Sequence, residues 1–405
     1  MTTDAHPSSL PPPPKAATRA FGSKPRLSRF ARMLLLGTAL VHLPLALGVT
    51  EVGRRGGWPL WWLWGLAIVL LGVAGLRSFI RVTLMDTPRG RLRVRLLEEP
   101  YFVHWCATIF SVVPSIVGAI VAPVTRMLGH DASAANAALW SYGVGLVVCF
   151  WGVIVRRWWF VVERVEVRVE GLPAELDGFR IAHLSDLHIG AYTPKSWGLR
   201  WARAANAEKP DVTVITGDMV TSGVAFHEDI AEIVAALRAR HGAFVSMGNH
   251  DYFGDGEPLI SLIDATKTAR VLRNAGVVLE HDGARLFLTA VDDVWTRRAD
   301  LDLALAKRPE GVPTVLLAHD PEGFRAAAKR GVDVILSGHT HGGKIGVPFL
   351  AKRLNLSQIA HHHTLGLYRR GKSTLYVHPG LGVTGPPVRF GIAPAVVIVT
   401  LRRAS

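Results

Sequence analysis

Residues 180–190 read R-I-A-H-L-S-D-L-H-I-G, a short apolar run whose polar end carries Asp186 and His188. A run of this length favours a buried strand. Four further apolar runs end in the same way, in T-G-D-M-V, G-N-H-D-Y-F, A-H-D-P and S-G-H-T-H-G-G. Because loops at strand ends bring side chains from distant parts of an α/β chain together, these clusters predict one composite site.

The chain around these runs alternates short apolar segments with helical stretches, which predicts an α/β domain. The first strand, Val162–Val169, reads V-E-R-V-E-V-R-V and is predicted to be antiparallel and half-buried. Later strands are predicted at 180–184, 212–216, 243–247, 286–290, 314–318, 332–337, 374–377 and 395–401. Helices are predicted near 195–208, 227–240, 257–274 and 321–330.

The amino-terminal part of the chain is far more apolar than the rest. Of the 405 residues, 49% are hydrophobic, and four apolar segments lie at 31–49, 57–76, 101–123 and 139–160. Each is close to the ~20 residues that a helix needs to cross a bilayer. We therefore predict a basic, proline-rich tail at 1–29, a transmembrane helical domain at 30–160 and a catalytic domain at 161–405. A basic stretch precedes the first segment, so a signal peptide is the alternative for it.

The formal net charge of +14 is compatible with nucleic-acid binding, but its distribution favours membrane topology. Basic residues crowd the tail, the loop between the second and third segments, and the end of the fourth, whereas the two opposite loops hold only Arg54, Arg55 and Arg126. The positive-inside rule then predicts a multi-pass protein of the cell (inner) membrane with a cytoplasmic catalytic domain. His42 and His104 are expected to be lone packed histidines, and Cys106 and Cys149 small hydrophobes rather than a disulfide.

The five polar clusters resemble the motifs of the calcineurin-like metallophosphoesterase superfamily, D-x-H, G-D, G-N-H-[DE], H and G-H-x-H. The carboxyl-terminal stretch further resembles the bacterial membrane-associated branch, which includes phosphodiesterases and UDP-diacylglucosamine-type hydrolases. The resemblance implies a β-sandwich flanked by helices and two divalent metal ions (Mn, Fe or Zn). The implied ligands are Asp186, His188, Asp218, Asn249, His319, His339 and His341.

The resemblance also implies a division of roles. Asp218 bridges the two ions, since a carboxylate has two oxygens and screens the repulsion between them. The ligands of the first ion are completed by Asp186, His188 and His341. Those of the second ion are completed by Asn249, His319 and His339. His250 is not a metal ligand and would act as general acid or charge stabiliser. Asp251 is expected either to orient His250 or to cap the following helix.

The predicted function is membrane-anchored hydrolysis of a phosphodiester or pyrophosphate, with the bilayer and a phosphorylated, lipid-linked substrate as partners. A Ser/Thr protein phosphatase is disfavoured because Thr221 and Ser222 stand where that branch has Asp and Arg. A nucleotide or nucleic-acid phosphodiesterase remains an alternative, although no basic groove interleaved with aromatic residues is evident. A membrane sensor or scaffold regulated by the metal domain is another.

Some residues near the motifs permit two interpretations. The run His361–His363 is predicted to be an exposed loop, or else a lid over the substrate. Residues 349–360 are either an amphipathic, membrane-facing cap or a core helix. Four basic residues are candidates for holding a substrate phosphate or are simply solvated: Lys344, Arg369, Arg370 and Arg389.

Overall fold

The computed structural model describes residues 28–84, 89–128 and 133–404. The predicted tail therefore lies almost entirely outside the described residues. The amino-terminal helices are α1 (Arg29–Arg55), α2 (Trp61–Leu84), α3 (Arg91–Arg93), α4 (Glu99–Met127) and α5 (Ala134–Phe150). A π-helical turn joins α3 to α4, and a π-helical turn followed by a 3-10 turn extends α5 to Trp158.

The four predicted membrane spans are confirmed as helices. In the described part of the chain, four helices are long and apolar enough to cross a bilayer: Arg29–Arg55, Trp61–Arg81, Arg91–Thr125 and Ala134–Trp158. Their outward faces carry exposed leucine, valine and tryptophan side chains, as a lipid environment requires.

His42 and His104 pair with each other inside the helical bundle, contrary to the expectation that they stand alone. Their Nε2 atoms lie 3.2 Å apart, the Nδ1 of His42 donates to the Thr38 carbonyl (2.7 Å), and the Nδ1 of His104 meets the Tyr142 hydroxyl (2.8 Å). One consistent set of neutral tautomers satisfies this chain of bonds, which links α1, α4 and α5. Cys106 and Cys149 are free thiols.

The carboxyl-terminal domain is a two-sheet sandwich. The strands, numbered β1 to β12 in chain order, are Val161–Val169, Arg180–Leu184, Val212–Thr216, Ala243–Ser246, Ala269–Val271, Ala275–His281, Ala284–Ala290, Thr314–Leu317, Val334–Ser337, Gly366–Arg370, Ser373–Val377 and Ala395–Arg403. The first sheet has the order β1-β12-β2-β3-β4-β5 and the second β10-β11-β9-β8-β7-β6. The α/β prediction with a β-sandwich is confirmed.

Three hydrophobic clusters hold the layers together. Alternate residues of both sheets, such as Ile181 and Leu317, form the central core. The outer face of the first sheet packs against α6 (Lys195–Ala207), α7 (His227–Ala235) and α8 (Glu257–Ala265). The outer face of the second sheet packs against α9 (Leu301–Leu305) and α10 (Phe324–Lys329).

Two local predictions were wrong. β1 alternates buried and exposed residues as expected, but it pairs parallel, not antiparallel, with β12. The helix predicted over 257–274 ends at Ala265, since Lys267 takes a left-handed φ of 55° and β5 begins at Ala269. Because the apolar periodicity continues across this break, the sequence pattern does not indicate where the helix ends.

The sandwich docks on the helices through two loops. Val388 packs among Val103, Cys149 and Val153 of the spans, and the Arg389 N–H donates to the Gly152 carbonyl (3.1 Å). On the other side the Tyr192 hydroxyl donates to Glu98 (2.5 Å). Both loops lie next to the strand ends that carry the polar motifs, so the candidate site is close to the membrane junction.

Candidate metal centre

The predicted site residues all follow strands, and those strands are neighbours. β2, β3 and β4 are parallel neighbours in the first sheet, and β8 and β9 are parallel neighbours in the second. Their carboxyl ends therefore meet at one edge of the sandwich. The residues that follow these strands are Asp186, His188, Asp218, Asn249, His250, His319, His339 and His341.

A first group of donor atoms consists of Asp186, His188 and His341, whose donor atoms lie within 4.8 Å of one another. The Nε2 atoms of His188 and His341 are 3.1 Å apart, and an Asp186 oxygen is 3.2 Å from the latter. All three side chains are buried. Two imidazole nitrogens and a carboxylate oxygen thus point at the same small volume, as metal ligands do.

A second group consists of Asp218, His319 and His339. An Asp218 oxygen lies 3.3 Å from the Nε2 of His319, which is 3.2 Å from the Nδ1 of His339. The Nδ1 of His319 donates to the Thr216 carbonyl (2.7 Å). This bond leaves the Nε2 lone pair of the neutral ring free for a ligand, the arrangement typical of metal-binding histidines.

Asp218 lies between the two groups. The same carboxylate oxygen that faces His319 is 3.6 Å from the Nε2 of His188. Asn249 is buried, and its Oδ1 has no hydrogen-bond partner among the described residues. A buried amide oxygen without a partner is costly, which fits an oxygen that a cation would engage. The arrangement coincides with the predicted division of ligands, whose roles remain predictions.

The electrostatics of the protein atoms alone favour a cation here. Burial raises the pKa of Asp186 to about 7. Burial lowers the pKa of His319, but Asp218 and Asp186 outweigh it and bring that pKa to about 10. The two buried carboxylates therefore favour positive charge beside them. Divalent ions would supply that positive charge directly, so the residues fit the implied pair of ions.

The backbone at the site is held in an unusual conformation. Five of the predicted ligands have a positive φ, namely Asp186 (53°), His188 (42°), Asp218 (53°), His339 (69°) and His341 (50°). Non-glycine residues seldom adopt this region, which is enriched at functional sites. Here each conformation turns a side chain sharply off the end of its strand towards the shared centre.

The motif loops are in direct contact, which is why glycines stand beside the ligands. A Cβ atom on Gly248 would lie 2.3 Å from an Asp218 oxygen, and one on Gly338 would lie 2.3 Å from an Asp186 oxygen. Both distances are well below van der Waals contact. These two glycines let neighbouring loops approach the ligand carboxylates.

Asp251 ties two motif loops together, and neither expected role for it applies. The buried carboxylate accepts backbone N–H bonds from Asp218 (3.0 Å), Met219 (2.8 Å), Val220 (3.2 Å) and Gly248 (2.9 Å). The residue that orients His250 is Thr221, whose carbonyl accepts from the His250 Nδ1 (2.6 Å). The Thr221 hydroxyl also donates to the His188 carbonyl (3.0 Å). Sequence reasoning missed Thr221 in this role, although it directly follows T-G-D-M-V.

Two of the four basic residues considered for phosphate binding donate to loop carbonyls instead. Arg389 is fully buried and donates to the carbonyls of Pro379 (2.9 Å), Gly380 (2.9 Å) and Gly382 (2.7 Å). Lys344 donates to the Thr384 and Pro386 carbonyls. Both side chains hold the loop behind His341. Arg369 and Arg370 are exposed on β10.

Two aromatic rings flank His339 at the mouth of the site. His361 lies 5.5 Å from His339, and Trp295 lies 5.6 Å from it, measured between ring centroids. The Trp295 Nε1 donates to Asp320, the neighbour of His319. His361 is the member of the His361–His363 run that reaches the site, whereas His363 packs against Phe324 and Tyr368. Trp295 lies in a loop without a motif, so nothing in the sequence indicated that it would lie at the site.

Comparison with known proteins agrees with the geometry. The sequence model of the calcineurin-like phosphoesterase family matches residues 179–343. An uncharacterized metallophosphoesterase of Bacillus subtilis, YkuE, is 30% identical over 57% of this chain and 82% of its own length. An uncharacterized metallophosphoesterase of Helicobacter pylori is 33% identical over 58% of this chain and 61% of its own length. A transmembrane protein with metallophosphoesterase domain from Danio rerio is 31% identical over 59% of this chain and 57% of its own length.

Fold, site and relatives together define a metal-dependent phosphoesterase with membrane-spanning helices. The chain belongs to the calcineurin-like phosphoesterase family. It spans less than two thirds of the Helicobacter and Danio relatives. The region that the family model matches contains all five polar motifs.

Asp251→Asn should loosen the centre without replacing a predicted ligand. The new amide group must face one pair of the four backbone N–H donors, so two buried donors lose their acceptor, at a cost of about 3 kcal/mol. Disturbing groups that support metal ligands typically lowers metal affinity by about 10–100-fold. Calorimetric titration of the full chain with Mn²⁺ in detergent measures this affinity. Asp255→Asn, an exposed acceptor nearby, is the matched control, and unchanged Mn²⁺ affinity in Asp251→Asn would contradict the assigned role.

Proposed function

We propose that this enzyme hydrolyses a P–O bond in a phosphodiester or pyrophosphate whose remainder is anchored in the bilayer. The observation that supports it most is the pair of donor groups on either side of the Asp218 carboxylate, located at the edge of the sandwich next to the membrane junction. The resemblance to the branch that includes UDP-diacylglucosamine-type hydrolases points to the same substrate class.

The proposed ligand roles follow the two donor groups. Asp186, His188 and His341 would hold one divalent ion, Asn249, His319 and His339 the other, and Asp218 both. Two such ions, when bound, lower the pKa of a water molecule and neutralise charge on the phosphoryl oxygens. Mixed imidazole, carboxylate and amide ligands suit Mn, Fe or Zn. The chain's own contribution is a fixed set of donors, because cross-loop hydrogen bonds set every ligand-bearing loop.

His250 is proposed to stabilise or protonate the leaving group. Its Nδ1 is engaged by the Thr221 carbonyl, its ring packs on Phe253 at 4.4 Å, and a ring nitrogen lies within 4.8 Å of donor atoms of His188 and Asp218. The ring is half-buried, so one edge stays accessible to a substrate. A donor held in this way can deliver a proton through Nε2 to a departing oxygen.

The location of the site supports a substrate at the bilayer surface. The loop 379–391 that supports His341 also carries Val388, which packs among the span ends. The distribution of basic residues further supports a cytoplasmic catalytic domain on the inner membrane. A soluble substrate would not need this proximity, whereas a lipid-linked phosphate is confined to that level.

Asp218→Asn should abolish metal-dependent turnover. The amide keeps one oxygen and no charge, so it cannot hold two cations together. We expect hydrolysis of bis-p-nitrophenyl phosphate by the full chain with Mn²⁺ to fall by at least about 10²-fold, the scale on which loss of an electrostatic group acts. Asp282→Asn, which alters an exposed ion pair with Arg240, is the control. Metal binding by the wild-type chain without turnover of any phosphate ester would overturn the proposal.

His250→Gln should lower kcat by about 10²–10⁴-fold for esters with poor leaving groups, because proton donation matters most there. The loss should be smaller for p-nitrophenyl esters, whose leaving group departs as an anion. Comparing kcat for a series of aryl and alkyl diesters measures the difference. His241→Gln serves as control, since His241 lies before β4, at the end of the sheet away from the site. An equal loss across the series would exclude proton donation by His250.

Deletion of the gene in its host should cause a phosphorylated lipid to accumulate, as measured by lipid mass spectrometry. Wild-type enzyme should remove the accumulated lipid, while the Asp218→Asn variant should not, because the lipid would be the uncleaved substrate. An unchanged lipid profile together with accumulation of a water-soluble phosphodiester would contradict the lipid-linked substrate. That outcome would leave the phosphoesterase activity itself intact.

A further inference from the structure

Between β9 and β10, the segment 345–359 presents apolar side chains to the outside. Phe349 is completely exposed (105%) and Ile359 is 84% exposed. The other exposed apolar residues of the segment are Ile345, Val347, Leu350, Leu354 and Leu356. A contiguous exposed apolar surface of this kind commonly marks an interaction site.

The segment is ordered by its own polar groups, which point inward. Asn355 is buried and donates to the Ala351 carbonyl (2.8 Å) and to the Thr364 hydroxyl (3.0 Å). The buried Ser357 hydroxyl donates to the Asn355 side chain (2.8 Å). Polar residues inside and apolar residues outside reverse the usual pattern of a water-exposed loop. The outward apolar face is therefore a fixed feature of the fold.

The base of the segment is joined to the end of the fourth span. The Gly346 N–H donates to the Phe390 carbonyl and the Phe390 N–H to the Lys344 carbonyl, both at 2.9 Å. The preceding residue, Arg389, donates its N–H to the Gly152 carbonyl in the span (3.1 Å). Two adjacent residues of one loop thus bind the segment and the span, and the segment starts at the level where the span ends.

The tip of the segment also lies beside the exit of the chain from the span. Phe349 and Arg353 line a groove of about 500 Å³ together with Val161, the first residue of β1. Trp151 and Trp159 are 41% and 60% exposed around this exit. Exposed tryptophans at a span end are typical of the headgroup level. The groove places the segment at that same level.

The charge of the segment suits a position at the headgroup level. Lys352 and Arg353 are exposed, and residues 345–360 contain no aspartate or glutamate. An apolar face flanked by basic side chains is the combination that binds the boundary between anionic headgroups and acyl chains.

We propose that segment 345–359 rests in the headgroup region of the leaflet from which the fourth span emerges. Phe349 and Ile359 contact acyl chains there, and Lys352 and Arg353 contact lipid phosphates. The proposal depends on the membrane spans and is independent of the reaction. It has a consequence for the site, because His361 follows two residues after Ile359 and its ring lies 5.5 Å from His339. Contact with the bilayer would hold one wall of the site at the membrane surface.

Spin labels can test the position of the segment. The full chain carrying Cys106→Ala and Cys149→Ala receives a nitroxide at Phe349→Cys or, separately, at Ile359→Cys. Each protein is placed in nanodiscs of phosphatidylethanolamine and phosphatidylglycerol. Collision with oxygen, which concentrates in the acyl region, is compared with collision with a water-soluble nickel chelate. Leu303→Cys on α9, with Leu303 53% exposed, is the matched control.

We expect both segment labels to show a higher oxygen-to-nickel ratio than the control label, with loss of nickel collisions. A ratio equal to that of the control would place the segment in water and overturn the proposal. Low collision with both reagents would show that protein, such as a second copy of this chain, covers the segment, and would overturn it as well. Because Phe349 is completely exposed, its replacement is not expected to impair folding, and the label at position 359 gives an independent reading.

Discussion

Two buried carboxylates in contact with a cluster of imidazoles are the constraint around which the catalytic domain is organised. Asp186 and Asp218 are almost inaccessible to solvent, and burying a carboxylate without compensation is prohibitive. The chain brings imidazole nitrogens within 3.2–3.6 Å of their oxygens instead. Added positive charge at the centre of this set of atoms would therefore stabilise this edge of the sandwich.

The same constraint explains the strained backbone. A left-handed conformation costs a non-glycine residue about 1–2 kcal/mol, and aspartate somewhat less, so the five such residues among the predicted ligands together cost at most about 10 kcal/mol. That is comparable to the entire net stability of a typical domain, about 5–15 kcal/mol. Bonds between loops must offset the cost. Asp251 accepts four N–H bonds from two motif loops, and Arg389 donates to three carbonyls of the loop behind His341.

Features that follow from a local sequence pattern were predicted, whereas features that depend on contacts between distant parts of the chain were missed. The spans and most strands follow from apolar runs, and the candidate ligands follow from motifs at strand ends. The role of Asp251 was not predictable, because three of its four partners are backbone groups more than thirty residues away in the chain. The burial of Arg389 was missed for a similar reason, since charge alone suggests solvent or phosphate. The parallel pairing of β1 depends on β12, at the far end of the chain.

The loop around Arg389 connects the two halves of the molecule. The backbone N–H of Arg389 donates to the Gly152 carbonyl in the fourth span. The guanidinium of the same residue donates to the Gly380 and Gly382 carbonyls, which lie beside His341. A buried arginine with three carbonyl acceptors has little freedom to move independently. The position of a predicted metal ligand is therefore fixed partly by the end of a membrane helix. In this arrangement the spans do more than attach the enzyme to the bilayer, because they form part of the scaffold that sets the geometry of its centre.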